Sequence, residues 1–278
     1  MRIAYLGPAG TFTEDALREA LSRGEDFEPL RTLTVHDAIL AVERGEAERA
    51  LVPFENSIEG SVRSTLDTLA FEAESVTIVG EHDFTVGAVL LVREAVALDE
   101  ITAVLSHPQP LAQCARFLRK NLPAAELRSV SSTAEAARLV GESDEPWAAI
   151  GARAAAELYG CQIIREGIED EANNVTRFVW IAAAGTEPND GESWKTSLVF
   201  SELGEDHPGA LVEALLEFSS RGINLTRIES RPLRSQLGRY MFFCDLDGPT
   251  ADEAVAEAIS ALRTKADSVR ILGSYPVG

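Results

Sequence analysis

From Arg2 to about Ala183, short apolar runs alternate with segments of helical period. That alternation restricts the chain to α/β architectures built on a largely parallel sheet. Strands are expected over 3–6, 27–32 and 50–54, with helices over 12–22 and 35–44 and another from near Gly60. The stretch 76–92 reads as paired strands. The alternation then repeats with a strand over 103–105, helices over 111–122 and 133–140, and a strand over 148–151. A closing strand over 177–182 returns to the first lobe, because hinged two-lobe folds commonly cross over twice. The segment 184–193 carries turn formers and charges without apolar period and reads as a linker. Beyond it the order is strand 196–201, helix 210–220, strands 224–231 and 238–246, helix 251–264 and strand 269–273. This β-α-β-β-α-β order is the split ferredoxin-like arrangement.

Composition narrows the function classes. The 278 residues suggest two domains, and 45% hydrophobic content supplies packed cores. With 45 acidic against 25 basic residues the net charge is −20, which argues against nucleic acid or anionic membranes as partners. An anionic substrate must therefore be caught by local geometry. Cys114, Cys161 and Cys244 stand far apart and are odd in number, indicating neither a disulfide framework nor a metal cluster but a reducing cytoplasm. The amino terminus runs into a strand pattern without a signal-peptide core, and no apolar run approaches ~18 residues. Phosphate-loop, dinucleotide and zinc signatures are absent, so no cofactor and no metal are expected. The scattered histidines His36, His82, His107 and His207 support no histidine-centred triad.

What recurs is a strand entering a Ser/Thr/Asn-rich turn and then a helix: at Gly7–Glu14, at Pro53–Ser61, at Ser106–Pro110 and at Ser131–Glu135. Thr11 and Glu14 are spaced as a capping box. Four such turns at carboxyl ends of strands define a ligand edge, where helix amino ends offer N–H groups to a small anion. Taken singly, Thr11, Ser106 and Ser132 could be N-caps contributing ~1 kcal/mol each. The amides of Asn56 and Gln113 favour a binding cleft over capping alone. Near the crossover, Asn173-Asn174 leads into a strand whose start presents Thr176 and Arg177.

These motifs together resemble prephenate dehydratase: G-P-x-G-T-F at Gly7–Phe12, P-x-E-N-S-x-x-G-S at Pro53–Ser61, S-H-P-Q-P at Ser106–Pro110, S-T-A-x-A-A at Ser132–Ala137 and N-x-T-R-F at Asn174–Phe178. The tail motifs G-A-L-V at Gly209–Val212 and E-S-R-P at Glu229–Pro232 resemble the phenylalanine-binding motifs of an ACT domain. The resemblance implies an α/β fold with a two-lobed, periplasmic-binding-protein-like catalytic domain over 1–183 and a ferredoxin-like ACT domain over 194–278. Lobe one would comprise about 1–78 plus the strand 176–183, and lobe two about 79–165. With no chorismate mutase helix ahead of the first strand, the monofunctional form is expected.

The implied reaction converts prephenate to phenylpyruvate with loss of carbon dioxide and water, on the way to phenylalanine. By the same resemblance Thr176 is the catalytic hydroxyl, with Asn56, Ser106 and Gln113 as polar catalytic partners. Thr11, Glu55, Ser57, Ser132, Thr133, Arg177 and Phe178 would bind substrate, Arg177 either as a carboxylate partner or as a lobe-locking ion pair. His207, Pro208, Gly209, Ala210, Leu211, Asn224, Leu225, Glu229, Ser230 and Arg231 would bind phenylalanine as an allosteric effector. A homodimer or homotetramer through the ACT domains is implied. Two alternatives stand beside this reading: arogenate dehydratase, and a binding protein or amino-acid sensor without catalysis.

Overall fold

In the computed structural model, which describes residues 1–21, 26–203, 207–235 and 237–277, the first lobe contains β1 (Arg2–Leu6), α1 (Phe12–Ala20), β2 (Glu28–Thr32), α2 (Val35–Glu43), β3 (Arg49–Asn56), β4 (Gly60–Ser61), α3 (Arg63–Phe71) and β5 (Val76–Thr85). The second lobe contains β6 (Val89–Val92), β7 (Ala103–Ser106), α4 (Pro108–Gln113), α5 (Ala115–Asn121), β8 (Glu126–Ser129), α6 (Thr133–Glu142), β9 (Trp147–Gly151), α7 (Arg153–Tyr159) and β10 (Gln162–Glu166). Strand β11 (Val175–Ala183) returns to the first lobe. The C-terminal unit is β12 (Trp194–Leu203), α8 (Ala210–Ser219), β13 (Leu225–Pro232), β14 (Tyr240–Asp247), α9 (Glu253–Leu262) and β15 (Ala266–Pro276).

The first-lobe strands run in the order β5-β11-β3-β1-β2, and the second lobe's in the order β10-β6-β9-β7-β8. Central strands are apolar on both faces because helices cover both. In β3, Ala50, Val52 and Phe54 join the core under α2 and α3, whereas Leu51 joins Ile3 and Tyr5 under α1. Burying each such large side chain contributes about 1.5–3 kcal/mol. Both sheets are mixed rather than largely parallel: β1 lies parallel to β2 and β3, but β11 runs antiparallel to β3 and β5.

The C-terminal sheet β13-β14-β12-β15 joins the first-lobe sheet through a single rung between Gly273 and Ile78. A Cβ on Gly273 would stand 2.2 Å from the Ile78 carbonyl oxygen, so only glycine permits this approach. Alternation along β12 and β14 splits the side chains cleanly. Leu198, Phe200, Cys244 and Leu246 pack under α8 and α9, while Val199, Met241 and Phe243 enter the first-lobe core. The sheet face that a lone ferredoxin-like unit leaves bare is thus covered by the catalytic lobe.

Several expectations give way here. The stretch 76–92 is not a hairpin: β5 pairs with β11 along its length, whereas β6 pairs with β9 and β10 in the other sheet. The chain crosses between lobes at 86–88, so the first lobe extends to Thr85 rather than to about 78. Local alternation defines a strand but does not name its partner. The helix expected over 111–122 is two helices meeting at Cys114, the first started early by Pro108 at its first position. Gly60 and Ser61 form a short strand against β3, and α3 begins only at Arg63. Helix α1 ends at Ala20; Ser22, where it was expected to end, lies outside the described residues.

Candidate active site

A cavity of about 860 Å³ lies between the two lobes. The first lobe lines it with Thr11, Phe12, Arg31, Pro53, Asn56, Asn174, Thr176 and Phe178. The second lobe contributes His107, Gln109, Gln113, Ser132, Thr133 and Glu135. All four strand–turn–helix junctions singled out in the sequence therefore meet at one cleft.

Its centre is an amide–hydroxyl unit. Asn56 ends β3 opposite Thr176 on β11. The Asn56 Oδ1 accepts from the backbone N–H groups of Ile58 (2.9 Å) and Glu59 (3.0 Å), which fixes which end of the amide faces the cleft. Its Nδ2 then donates to Asn174 Oδ1 at 2.7 Å and to Thr176 Oγ1 at 2.9 Å. Among the described residues no protein acceptor takes the Thr176 hydroxyl proton, so that proton is available to a molecule in the cleft. Asn174 is 3% exposed and holds the second Asn56 hydrogen. It was quoted within a sequence motif but not named as a site residue.

Around this unit the cleft offers donors. Ser132 caps α6 by accepting from Glu135 N–H at 3.0 Å, and Thr133 begins the helix. Thr11 precedes α1 but makes no side-chain cap, and its hydroxyl donates to the Leu6 carbonyl at 3.4 Å. The expected capping box is not formed because the Glu14 carboxylate accepts from Gly10 N–H and Arg18 instead. Gln113 reaches across the lobes to donate to Glu59 at 3.4 Å. Arg31, unmarked by any motif, is the one Lys or Arg lining the cavity among the described residues. Its Nε donates to the Tyr5 hydroxyl at 2.9 Å, leaving its other nitrogens to the cleft. Burial, reinforced by the Glu14 charge, pushes the Tyr5 hydroxyl above its ordinary range, so it stays a neutral acceptor. Replacing Arg31 with methionine is expected to raise KM for a dianionic substrate about tenfold with kcat little changed. Steady-state kinetics check this, and an unchanged KM would remove Arg31 from substrate capture.

Four expected site residues do not line the cavity. Ser106 is fully buried and donates to the Ile150 carbonyl at 2.8 Å, tying β7 to β9; the N-cap of α4 is His107. Ser57 donates to Asn173 O at 2.8 Å and accepts from Val175 N–H at 3.0 Å, so it fastens the turn to the start of β11. Glu55 and Arg177 point away because side chains alternate along β3 and β11. Arg177 bonds Glu81 at 2.6 Å, Asp245 at 2.6 Å and the Tyr275 hydroxyl at 2.7 Å, so its guanidinium is engaged between the first lobe and the C-terminal sheet, neither facing the cleft nor tying the two lobes together. Lys195 completes the cluster on Glu81 at 2.7 Å. Burial pulls the Arg177 pKa down, but the facing Tyr275, Asp245 and Glu81 more than offset it and hold Arg177 above its ordinary range.

A family model described as prephenate dehydratase matches residues 3–186, and one described as ACT domain matches residues 202–264. A prephenate dehydratase of Mycobacterium marinum is 42% identical over all of this chain and 89% of its own length. The chain belongs to the prephenate dehydratase family. The crystal structure of an Arthrobacter aurescens prephenate dehydratase in complex with L-Phe superposes with a TM-score of 0.90 at 40% identity, covering 99% of this chain and 90% of that one. A structure described as GqqA, a novel type of quorum quenching acylases, superposes at 0.88 with 31% identity over 100% of this chain and 98% of that one.

In the ACT domain, Gly209 caps α8 at φ +100°, a conformation that favours glycine, with open space where a side chain would stand. His207 and Pro208 are exposed beside it, and Ala210 and Leu211 begin the helix. Strands β12 and β13 both run antiparallel to β14, so Glu229, Ser230 and Arg231 lie at the helix-start end of the sheet. Asn224 and Leu225 lie at the opposite end, with Asn224 donating to Asp247 at 2.9 Å and Leu225 packed on the ACT core. One chain thus does not bring all ten expected effector residues together. Arg231 is engaged elsewhere, paired with Asp67 of α3 at 2.7 Å.

Proposed function

We propose that this member of the family turns prephenate into phenylpyruvate in the interlobe cleft and is inhibited by phenylalanine acting at the ACT domain. The observation that carries the reading is the Asn56–Thr176 bond, because the amide donates and leaves the hydroxyl a donor toward substrate. Prephenate carries two carboxylates, which Arg31 and the amino ends of α1 and α6 are suited to receive. Breaking the bond to the ring carboxylate releases carbon dioxide and sends its electron pair into the ring, which becomes aromatic as the C–O bond breaks. The departing hydroxide gathers negative charge, and a hydroxyl donor already oriented toward it stabilises that charge without reorganising.

Two neighbouring readings fit less well. Arogenate carries an ammonium group, yet the one carboxylate lining the cavity among the described residues, Glu135, has both oxygens held by Arg138 at 2.9 and 2.8 Å. An acylase needs a base to activate its nucleophile. The Thr176 partner is an amide hydrogen rather than a base.

The open edge strand β13 and the exposed Val212 and Leu216 on α8 favour pairing of ACT domains into a homodimer or homotetramer. No helix among the described residues is long and apolar enough to cross a membrane. Prephenate and arogenate supplied separately, with phenylpyruvate and phenylalanine followed by absorbance and mass spectrometry, test the assignment. Phenylpyruvate from prephenate, suppressed by added phenylalanine, is the expected result; turnover of arogenate alone, or of neither, would overturn it.

A further inference from the structure

The ACT domain reaches the catalytic hairpin through one arginine. Arg227, on β13, is 9% exposed, and its side chain crosses into the first lobe. Its Nη2 donates to Ser61 Oγ at 2.6 Å. Its guanidinium lies 5.0 Å from the centre of the Phe54 ring, as does that of Arg177. Ser61 and Glu55 are cross-strand partners in the β3–β4 hairpin, and the next rung of that hairpin is Asn56 with Gly60. Arg227 therefore grips the hairpin one rung from the amide that orients Thr176.

The same arginine begins a continuous row across the joined sheet. Arg227 pairs with Asp245, Asp245 with Ser197, Ser197 with Gly273, and Gly273 with Ile78 of the first lobe. Asp245 in turn binds Arg177, the neighbour of Thr176. Contacts thus run from β13 and β14 to both members of the catalytic unit, to Asn56 through Ser61 and to Thr176 through Arg177.

The grip is incomplete. Arg227 Nε and Nη1 are buried without a hydrogen-bond partner. The facing carboxylate, Glu55, stands 3.5 Å from Nε, an ionic contact with no hydrogen bond made across it. A buried guanidinium with unpaired N–H groups is costly. A small approach of β13 toward β3 would satisfy it on Glu55. Such a pair of arrangements is what a two-state element requires.

We propose that Arg227 is the positioning residue through which the ACT domain governs the catalytic hairpin. In the arrangement seen, Arg227 holds Ser61 and Asn56 bonds Thr176. In the alternative, the guanidinium closes on Glu55, the hairpin follows, and Asn56 is drawn off Thr176. An effector that binds the second arrangement more tightly inhibits by that difference in affinity. The inference rests on the phenylalanine reading given above.

The test uses the full chain, with Arg227→Met and, as a variant that removes only the hydroxyl the arginine grips, Ser61→Ala. For each, kcat and KM are measured with and without saturating phenylalanine, and phenylalanine binding is measured by calorimetry. Arg227→Met is expected to keep kcat and KM within about twofold and to bind phenylalanine, while the inhibition at saturation falls by at least about tenfold. Ser61→Ala removes a contact of the uninhibited arrangement alone, so it should tilt the balance toward the Glu55 arrangement and lower the phenylalanine concentration that half-inhibits. Full inhibition retained in Arg227→Met, or weakened inhibition in Ser61→Ala, overturns the proposal. So does loss of phenylalanine binding in Arg227→Met, which would place the arginine in the effector site, or a fall in kcat with an unchanged inhibition ratio, which would make it a structural support. A wild-type chain that turns over prephenate but ignores phenylalanine would sink the regulatory reading and the proposal together. Inhibited wild type beside equally inhibited variants removes Arg227 alone.

Discussion

Replacing Thr176 with valine is expected to lower kcat about 10²- to 10⁴-fold, with KM for prephenate little changed. The range is that of a positioned proton donor. Valine keeps the shape of the side chain and removes the hydroxyl proposed to meet the departing hydroxide. The loss therefore falls on the transition state rather than on substrate binding. The substitution also takes away the Thr176 acceptor of the Asn56 amide at 2.9 Å, which leaves Nδ2 on Asn174 at 2.7 Å and on the Val175 carbonyl at 3.3 Å. Thr176→Ser isolates the hydroxyl from the methyl group, since serine retains the hydroxyl and should restore most of the activity. Steady-state kinetics on the pair decide the matter. Valine near wild-type rates would remove Thr176 from catalysis, and serine as inactive as valine would show that the hydroxyl does not suffice without the methyl group.

The second large effect concerns stability. Arg177→Met should destabilise the chain by about 3–5 kcal/mol, the usual consequence of removing one partner from a buried ion pair. The side chains of Asp245 and Glu81 are 1% and 3% exposed and would lose the guanidinium that compensates them. Lys195 remains on Glu81, but Asp245 would keep only the Ser197 hydroxyl, at 2.6 Å. The Tyr275 hydroxyl cannot take over as a charge partner, because burial and then the Asp245 charge push its pKa well up and keep it neutral. A thermal midpoint lower by on the order of 10 °C is expected. An unchanged midpoint would mean that the cluster contributes nothing net to the joint between catalytic and ACT domains.

Much of this was legible in the residues, and the rest was hidden for identifiable reasons. Strands such as β1 and β3 announce themselves because helices cover both faces and leave continuous apolar text. The C-terminal order of elements was legible because β12 and β14 carry continuous apolar runs, Leu198 to Phe200 and Met241 to Cys244, set off by turn formers and helical text. Strand β8, by contrast, is an edge strand reading Glu-Leu-Arg-Ser with three of four residues exposed, so no apolar pattern betrays it. Helix α7 was hidden differently, since its alanine-rich text closed by Gly160 lacks a capping residue to mark its start. The crossing between lobes could not be read because β5 and β6 are each good strands, and only long-range pairing separates them.

The site divides along the same line. The turns that form the cleft carry Ser, Thr and Asn in recognisable order, so Asn56, Gln113, Ser132 and Thr176 were named in advance. Whether a residue beside them faces the cleft depends on the pleat. Thr176 faces inward and Arg177, one residue on, faces the ACT sheet. A motif spanning both positions does not distinguish them. Arg31 was missed because it is an ordinary arginine on β2, drawn to the cleft only by the parallel register that sets it beside Tyr5.

The most direct test of the central claim, that a neutral hydroxyl oriented by an amide assists the leaving group, is the dependence of kcat on pH. An alcohol donor does not titrate in water's working range, so kcat should stay level from about pH 6 to 9. An imidazole or carboxylic acid acting as general acid must be protonated to work, and activity would be lost as pH rises through its pKa, about 6.5 for an ordinary histidine. A level profile supports the Asn56–Thr176 unit as the catalytic device. A fall through neutrality would contradict it and turn attention to His107, the one histidine lining the cleft among the described residues.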